Sequence, residues 1–367
     1  ARTYLAGRGY DDDAVKRFGL GYAPPGWDRL VTTAAKAGMS GKQLVDAGLA
    51  QERKRGEGHY DRFRNRVIFP VRDLQGRVVT FGARALDPED TPKYLNGPET
   101  PVFNKSAELF ALDMARDSAR RTREVLLMEG YTDVLMAHRF GFDRAVAGMG
   151  TALTDRQAGL LRRFVDRVVL VYDADDAGRA AAERGVQVLL QAGLEVRIAH
   201  LPAGRDTDEI LLEEGAEAFQ AVLDRAQELF DFEMSILADR HDLTSARGRA
   251  LAIEALIPVV ACVKSALERD QLFRMVADRL GGEGTELLLR REVAKHLGRD
   301  LARSSVPSRR PDPAPTQPSP RAGPGQRARA ETRARDERRL ILGALDERFR
   351  DAVYRAVGPE DFQEPVL

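Results

Sequence analysis

The chain has 367 residues, 43% of them hydrophobic, and its 57 Lys+Arg balance 57 Asp+Glu. That length holds about two or three domains, and the absence of any run near about 18 uninterrupted apolar residues argues against a transmembrane helix. The single cysteine, Cys262, excludes an internal disulfide framework and a cysteine-based zinc site within this chain, and a neutral balance says nothing about nucleic acid until the charges are located.

The opening "ARTYLAGRGYDDD" has no apolar core of the signal-peptide kind, so a cytoplasmic protein with no membrane partner is expected. It also lacks an initiating Met, so a fragment or processed form is expected. Residues 1–50 read as short helices with turn signals: "GYAPPGW" bends at Pro24 and Pro25, and Asp28 to Gly38 is amphipathic. A basic, aromatic-spiked piece follows. Its β-like runs Arg66–Val71 and Val78–Phe81, joined by Leu74-Gln75-Gly76, predict a hairpin. In "RFRNR", Arg62, Arg64 and Arg66 recur at period two and would share one face of a strand. Basic residues with interleaved aromatics suit a single-stranded nucleic-acid channel; a solvated strand face is the plainer alternative. A long Pro-, Gly- and Asn-containing loop, "DPEDTPKYLNGPETPVFNK", comes next.

From Glu124 the pattern alternates. Strands are predicted at Val125–Met128, Ala145–Ala147, Val168–Tyr172 and Glu195–Leu201. Helices are predicted at about Thr132–Phe140, Thr154–Phe164 and Ala177–Ala192, and "DTDEILLEEG" reads helical. Apolar strands separated by helices indicate βαβ units and a parallel sheet. From Ala216 to about Gly298 the chain reads as a packed helical bundle of structural role. The Pro-, Ser- and Arg-rich stretch 303–335 has the composition of a disordered linker, and "RRLILGALDERFRDAVYRAV" starts a further helical piece.

Acids end three of the predicted strands. Glu129 follows Val125–Met128, Asp173 and Asp175 follow Val168–Tyr172, and Asp206 and Asp208 come a short loop after the fourth strand. In open parallel sheets, ligands sit at the carboxyl ends of the strands. Crowded carboxylates raise each other's pKa; a divalent cation with hard oxygen ligands, Mg²⁺ or Mn²⁺, removes that difficulty. A lone D-x-D also suits a solvated loop or helix cap, but acids at three strand ends favour a ligand site.

At this point "EGYTDV" followed by "YDADDAG" resembles the Toprim domain. Together with "RFRNRVIFPVRD", "GRVVTFGAR", "TPKYLNGPET", "VFNKS" and "LPAGRDTDEIL" it is similar to the catalytic core of bacterial DnaG-type primases over most of residues 1–300. Thr207 stands where that family usually has proline. The resemblance implies an α/β fold: a Toprim-type parallel sheet core, with an α+β N-terminal subdomain and a C-terminal helical bundle. The expected divisions are 1–122, 123–213, 214–300, a linker at 301–335, and the start of a truncated helicase-binding-like domain at 336–367. It implies synthesis of short RNA primers from ribonucleoside triphosphates (NTPs) on single-stranded DNA.

Glu129, Asp173 and Asp175 are implied as catalytic residues, and these three with Asp133, Asp206 and Asp208 as metal ligands; Glu129 either ligates metal or assists proton transfer. Arg62, Arg66, Arg84, Lys93, Tyr94, Asn96 and Lys105 are implied to bind nucleotide or template. The expected partners are the single-stranded DNA template, NTPs, the RNA primer product and, through the truncated C-terminal region, a replicative helicase. Rival readings are a Toprim nuclease or topoisomerase half, for which Tyr131 is a badly placed nucleophile, a phosphotransferase using Asp173 and Asp175, and a non-catalytic DNA-binding scaffold.

Overall fold

The computed structural model describes residues 1–304 apart from 151, 173–175, 203 and 282–283. The expected linker beyond 304 and the helical piece after 336 lie outside the described residues.

The first part of the chain runs α1 (Arg2–Gly7), α2 (Asp12–Phe18), β1 (Gly21–Ala23), α3 (Arg29–Lys36), α4 (Gly41–Asp46), β2 (Ala50–Glu52), β3 (His59–Asp61), β4 (Arg66–Arg72), β5 (Val78–Ala85) and β6 (Tyr94–Asn96). β4 and β5 form the predicted hairpin, in an antiparallel sheet of order β1-β4-β5-β6. The turn is set by Asp73, whose Oδ1 accepts from Gln75 N and Arg77 N, both at 3.0 Å. Val67, Phe69 and Val71 are fully buried on one face of β4, as an alternating strand requires.

The start of α3 depends on a distant residue. Asp28 precedes the helix without a capping side-chain bond; the carboxylate of Asp61, at the end of β3, accepts from Leu30 N at 2.7 Å and Val31 N at 2.9 Å instead. Asp61 is buried, and burial pushes its pKa up while the two amides oppose the shift. Asp61→Ala leaves both amides unpaired. The expected cost is about 1–3 kcal/mol of global stability, seen as a lower urea midpoint at unchanged slope.

The middle part runs α5 (Leu112–Thr122), β7 (Glu124–Met128), α6 (Tyr131–Arg139), β8 (Ala145–Ala147), α7 (Asp155–Leu161), β9 (Arg167–Tyr172), α8 (Asp176–Ala192), β10 (Glu195–His200), α9 (Thr207–Glu213), α10 (Ala216–Asp224) and β11 (Gln227–Glu228). The sheet order is β11-β10-β9-β7-β8; β8, β7, β9 and β10 are parallel, and β11 adds an antiparallel edge that the sequence reading took as helix. Both faces of the sheet are covered. In β7, Leu126 and Met128 join one core cluster and Val125 and Leu127 the other; in β9, Val169 and Val171 are split in the same way from Val168 and Leu170. Such two-sided burial gives the near-continuous apolar runs that betray parallel strands. Thr154 caps α7, its Oγ1 accepting from Gln157 N at 3.2 Å while Gln157 Oε1 accepts from Thr154 N at 3.0 Å, a capping box at the start of the helix expected from Thr154.

The last part, α11 (Leu229–Arg240), α12 (Ala246–Cys262), α13 (Ala266–Leu280) and α14 (Thr285–Ser304), is the expected helical bundle. Its own core includes Phe230, Leu256, Val260, Phe273, Val276 and Leu289. α14 continues past the linker boundary expected at 301. Among the described residues, no helix is long and apolar enough to cross a membrane.

Candidate active site

The chain leaves β7 toward β8 on one side and returns to β9 on the other. This reversal makes the carboxyl end of β7 the switch point of the sheet, where parallel sheets open a crevice. Glu129 is the next residue after β7, and its side chain is exposed, whereas the four residues before it are buried. The parallel register Leu127↔Leu170, continued, sets Glu129 level with Tyr172. Together with Met128, Gly148, Gly150 and Leu153 they line a cleft of about 240 Å³. The Tyr172 phenol is pushed up to about 12, first by burial and then by the negative charge of Glu129, with Arg184 acting in the opposite direction. Tyr172 is therefore a neutral wall of the cleft at ordinary pH, and Arg184 is a cleft residue that no strand-end pattern signalled. Asp173 and Asp175, the other two expected catalytic acids, lie outside the described residues.

Each of the remaining described acids has a local position of its own. Asp133 Oδ2 accepts from Gly130 N at 3.0 Å, which starts α6 and suits the positive end of a helix. Asp206 is exposed at the N-cap of α9. Asp208 is buried and forms an ion pair with Arg8, at the end of α1. Tyr10 donates to Thr132 O at 2.9 Å; burial first, then Asp133 and Asp208, hold its phenol high. The N-terminal helices are thus tied to the two acidic helices α6 and α9, which pack against each other. Among the described residues, no group of three or more His, Cys, Asp or Glu side chains is gathered closely enough to hold a metal ion.

The expected basic stripe needs correction. Arg62 and Arg64 precede β4, and Asn65 between Arg64 and Arg66 has φ +50°, a left-handed conformation that ends strand geometry there. The three arginines therefore do not share one strand face. Arg66 is buried, with Nη1 donating to Pro92 O at 2.7 Å. Arg64 lies over the exposed Trp27 at 4.3 Å and Tyr60 at 5.6 Å from the ring centroids. Arg62 Nη2 donates to Asn96 O at 2.8 Å.

The β5–β6 pair carries the other expected residues. Arg84 stacks over Tyr4 at 4.3 Å and lies 6.0 Å from the Tyr94 ring, while Lys93 Nζ lies 6.0 Å from that same ring. Tyr94 is 37% exposed and its ring centroid is 6.4 Å from that of Tyr131, the second residue after Glu129. Arg84, Lys93 and Tyr94 thus form a cationic, aromatic ledge beside the motif that bears Glu129. Lys105 is held by its backbone, its N donating to Glu99 Oε1 at 2.9 Å and its O accepting from Gln157 Nε2 at 3.0 Å. The sequence reading missed Tyr4, Arg8 and Trp27, whose partners stand far along the chain; only the basic and aromatic character of the 53–66 segment hinted at Trp27's company.

A parallel sheet that delivers an exposed carboxylate to its switch point, flanked by a cationic ledge, defines an α/β domain with a candidate site at its carboxyl edge, and the comparisons give its family. Residues 1–116 match the family described as "DNA primase catalytic core, N-terminal domain", 126–211 match "Toprim-like", and 230–283 match "DnaB-helicase binding domain of primase". The chain belongs to the DnaG-type DNA primase family. A curated DNA primase of Halalkalibacterium halodurans is 40% identical over 278 residues, covering 76% of this chain and 46% of that protein. The chain thus spans about half the length of the curated relatives it matches. A DNA primase domain from Pseudomonas aeruginosa superposes with TM-score 0.71 at 35% identity, over 81% of this chain and 91% of that one. A DnaG primase catalytic domain bound to ssDNA gives TM-score 0.68 at 37% identity, over 76% and 90%. The helicase-binding match runs from the second residue of α11 through the whole of α13, within the bundle for which a structural role is expected, and not at the expected position 336–367.

Proposed function

We propose that this chain is the RNA-polymerising core of a primase, joining NTPs on a single-stranded DNA template into short RNA primers. The observation that carries the reading is Glu129: an exposed carboxylate, delivered by a buried strand to the switch point of a parallel sheet, beside the ledge of Arg84, Lys93 and Tyr94. In the reaction a 3′-hydroxyl oxygen bonds to the α-phosphorus of the incoming NTP, the bond to the β-phosphate oxygen breaks, and pyrophosphate leaves.

The residues present suit Mg²⁺ or Mn²⁺: the donors are hard carboxylate oxygens, and Glu129 opens onto a cleft edged by Gly148 and Gly150. Glu129, Asp173 and Asp175 would hold the ion, with Asp133, Asp206 and Asp208 completing the acidic surround. When bound, the ion supplies charge stabilisation at the phosphates and lowers the pKa of the attacking hydroxyl. Glu129 either ligates the ion or takes the hydroxyl proton. Arg84 and Lys93 offer positive charge to phosphates, and Tyr94 and Trp27 offer faces on which bases stack. Arg62, Arg66, Asn96 and Lys105 support that surface through the hydrogen bonds described. Residues 230–283 are the proposed contact for a replicative helicase.

The topoisomerase alternative gains no support from Tyr131. Its side chain is buried, donates to Asn96, and has its pKa raised by burial, all unfavourable for a nucleophile. The test is direct. With single-stranded DNA, labelled NTPs and Mg²⁺, the chain should yield short, ribonuclease-sensitive products. Cleavage of DNA without NTPs, and no RNA, would transfer the site to nuclease chemistry.

A further inference from the structure

Asn96 was expected among the residues that touch nucleotide or template. Its hydrogen bonds point elsewhere. It ends β6, paired with Gly82 of β5. Its Nδ2 donates to Met149 O at 2.7 Å, and its Oδ1 accepts from the Tyr131 hydroxyl at 2.6 Å. The orientation of the amide follows from its partners: a carbonyl only accepts, so the NH₂ must face Met149, which leaves the oxygen facing Tyr131. Tyr131 must then be the donor, since an amide oxygen only accepts.

The two partners stand close together, the Tyr131 hydroxyl 3.9 Å from Met149 Sδ, one in the segment that follows β7 and the other in the segment that follows β8. Tyr131 is two residues after Glu129, and Met149 lies between Gly148 and Gly150, both of which line the cleft with Glu129. One side-chain amide from the N-terminal sheet therefore ties the β7–α6 turn to the loop after β8. The surroundings are cleared for it. A Cβ on Gly82 would come 2.5 Å from the Tyr131 ring, and one on Gly150, where φ is +72°, would come 2.7 Å from Asn96 Nδ2. Arg62 Nη2 donates to the Asn96 carbonyl at 2.8 Å, which fixes the backbone that carries the amide.

We propose that Asn96 is a positioning residue: it sets the placement of Glu129 and of the loop after β8 by clamping Tyr131 to Met149, and does not act by touching template or nucleotide. The inference rests on the primase reading for its kinetic consequence, but the clamp itself is testable without turnover. Asn96→Asp keeps the shape and the acceptor for Tyr131 but turns a donor into an acceptor facing the Met149 carbonyl. A misplacement of about 1 Å at a reacting group costs on the order of 10²-fold in rate. Asn96→Asp should therefore lower kcat for ribonucleotide incorporation by about 10²-fold, with NTP KM and single-stranded DNA affinity (by fluorescence anisotropy) close to wild type. Tyr131→Phe should lower kcat in the same pattern, and adding it to Asn96→Asp should cost far less than the product of the two single effects.

In the ion-free protein, hydrogen–deuterium exchange of peptides covering Tyr131 and Met149 should quicken in Asn96→Asp. If exchange there is unchanged, or if DNA affinity or NTP KM is what moves while kcat holds, the clamp is wrong and Asn96 is a ligand contact. If Asn96→Asp does not fold, Tyr131→Phe decides by the same exchange and kinetic readouts. An inactive wild type that still shows the exchange change would sink the primase reading and keep the clamp.

Discussion

Glu129→Gln is expected to reduce ribonucleotide incorporation on single-stranded DNA by about 10²–10³-fold, the loss of roughly 3–4 kcal/mol of transition-state stabilisation. The substitution keeps size and shape and removes the charge and the basic oxygen. Glu129 is exposed, so the thermal midpoint should move little; surface changes of this kind stay within about 0.5 kcal/mol. Rate loss without destabilisation is the decisive combination. Near-normal incorporation by a well-folded Glu129→Gln would remove the acid from the chemistry, and loss of both fold and rate would make Glu129 a structural residue. The neighbouring phenol offers a spectroscopic check. Tyr172 is raised chiefly by burial and secondarily by Glu129, so its titration should shift downward in the variant but stay well above neutrality.

The largest expected loss of stability comes from Phe69→Ala. Phe69 is fully buried at the centre of β4, and its ring is stacked on Tyr131 with centroids 5.5 Å apart. Truncation removes the ring contacts and leaves a cavity beneath the turn that follows Glu129. The expected cost is about 3–5 kcal/mol, measured as a fall in the urea midpoint at constant slope. Because Tyr131 loses its stacking partner, incorporation under conditions where the variant is folded should also drop. A cost below about 1 kcal/mol would mean that the N-terminal sheet and the β7–α6 turn do not share the core described here.

The central parallel strands were legible because their burial on both faces forces nearly unbroken apolar runs, and the helices between them carry ordinary caps, as at Thr154. Glu129 was legible for the same reason: an acid directly after such a run has to leave the core. What the one-dimensional pattern missed is set by partners far along the chain. Period-two spacing in "RFRNR" suggested one strand face, yet the positive φ of Asn65 breaks the strand between Arg64 and Arg66. Asp208 reads as one more strand-end acid, but its partner Arg8 is 200 residues away. Asn96 reads as a polar loop residue, and only the fold shows Tyr131 and Met149 on its two sides. The edge strand β11 is two residues long, too short to leave a periodic signature within a helical stretch. Asp173 and Asp175 read from "YDADDAG" as acids that follow β9, and they lie outside the described residues.

The central claim is that the carboxyl edge of the parallel sheet, at Glu129, is a divalent-cation site for nucleotidyl transfer. Anomalous diffraction from crystals of this chain soaked in Mn²⁺ tests it most directly. The account predicts an ion in contact with the Glu129 carboxylate, on the side of β9, lost in Glu129→Gln. An ion bound only elsewhere, or the same ion position undisturbed in Glu129→Gln, would contradict it.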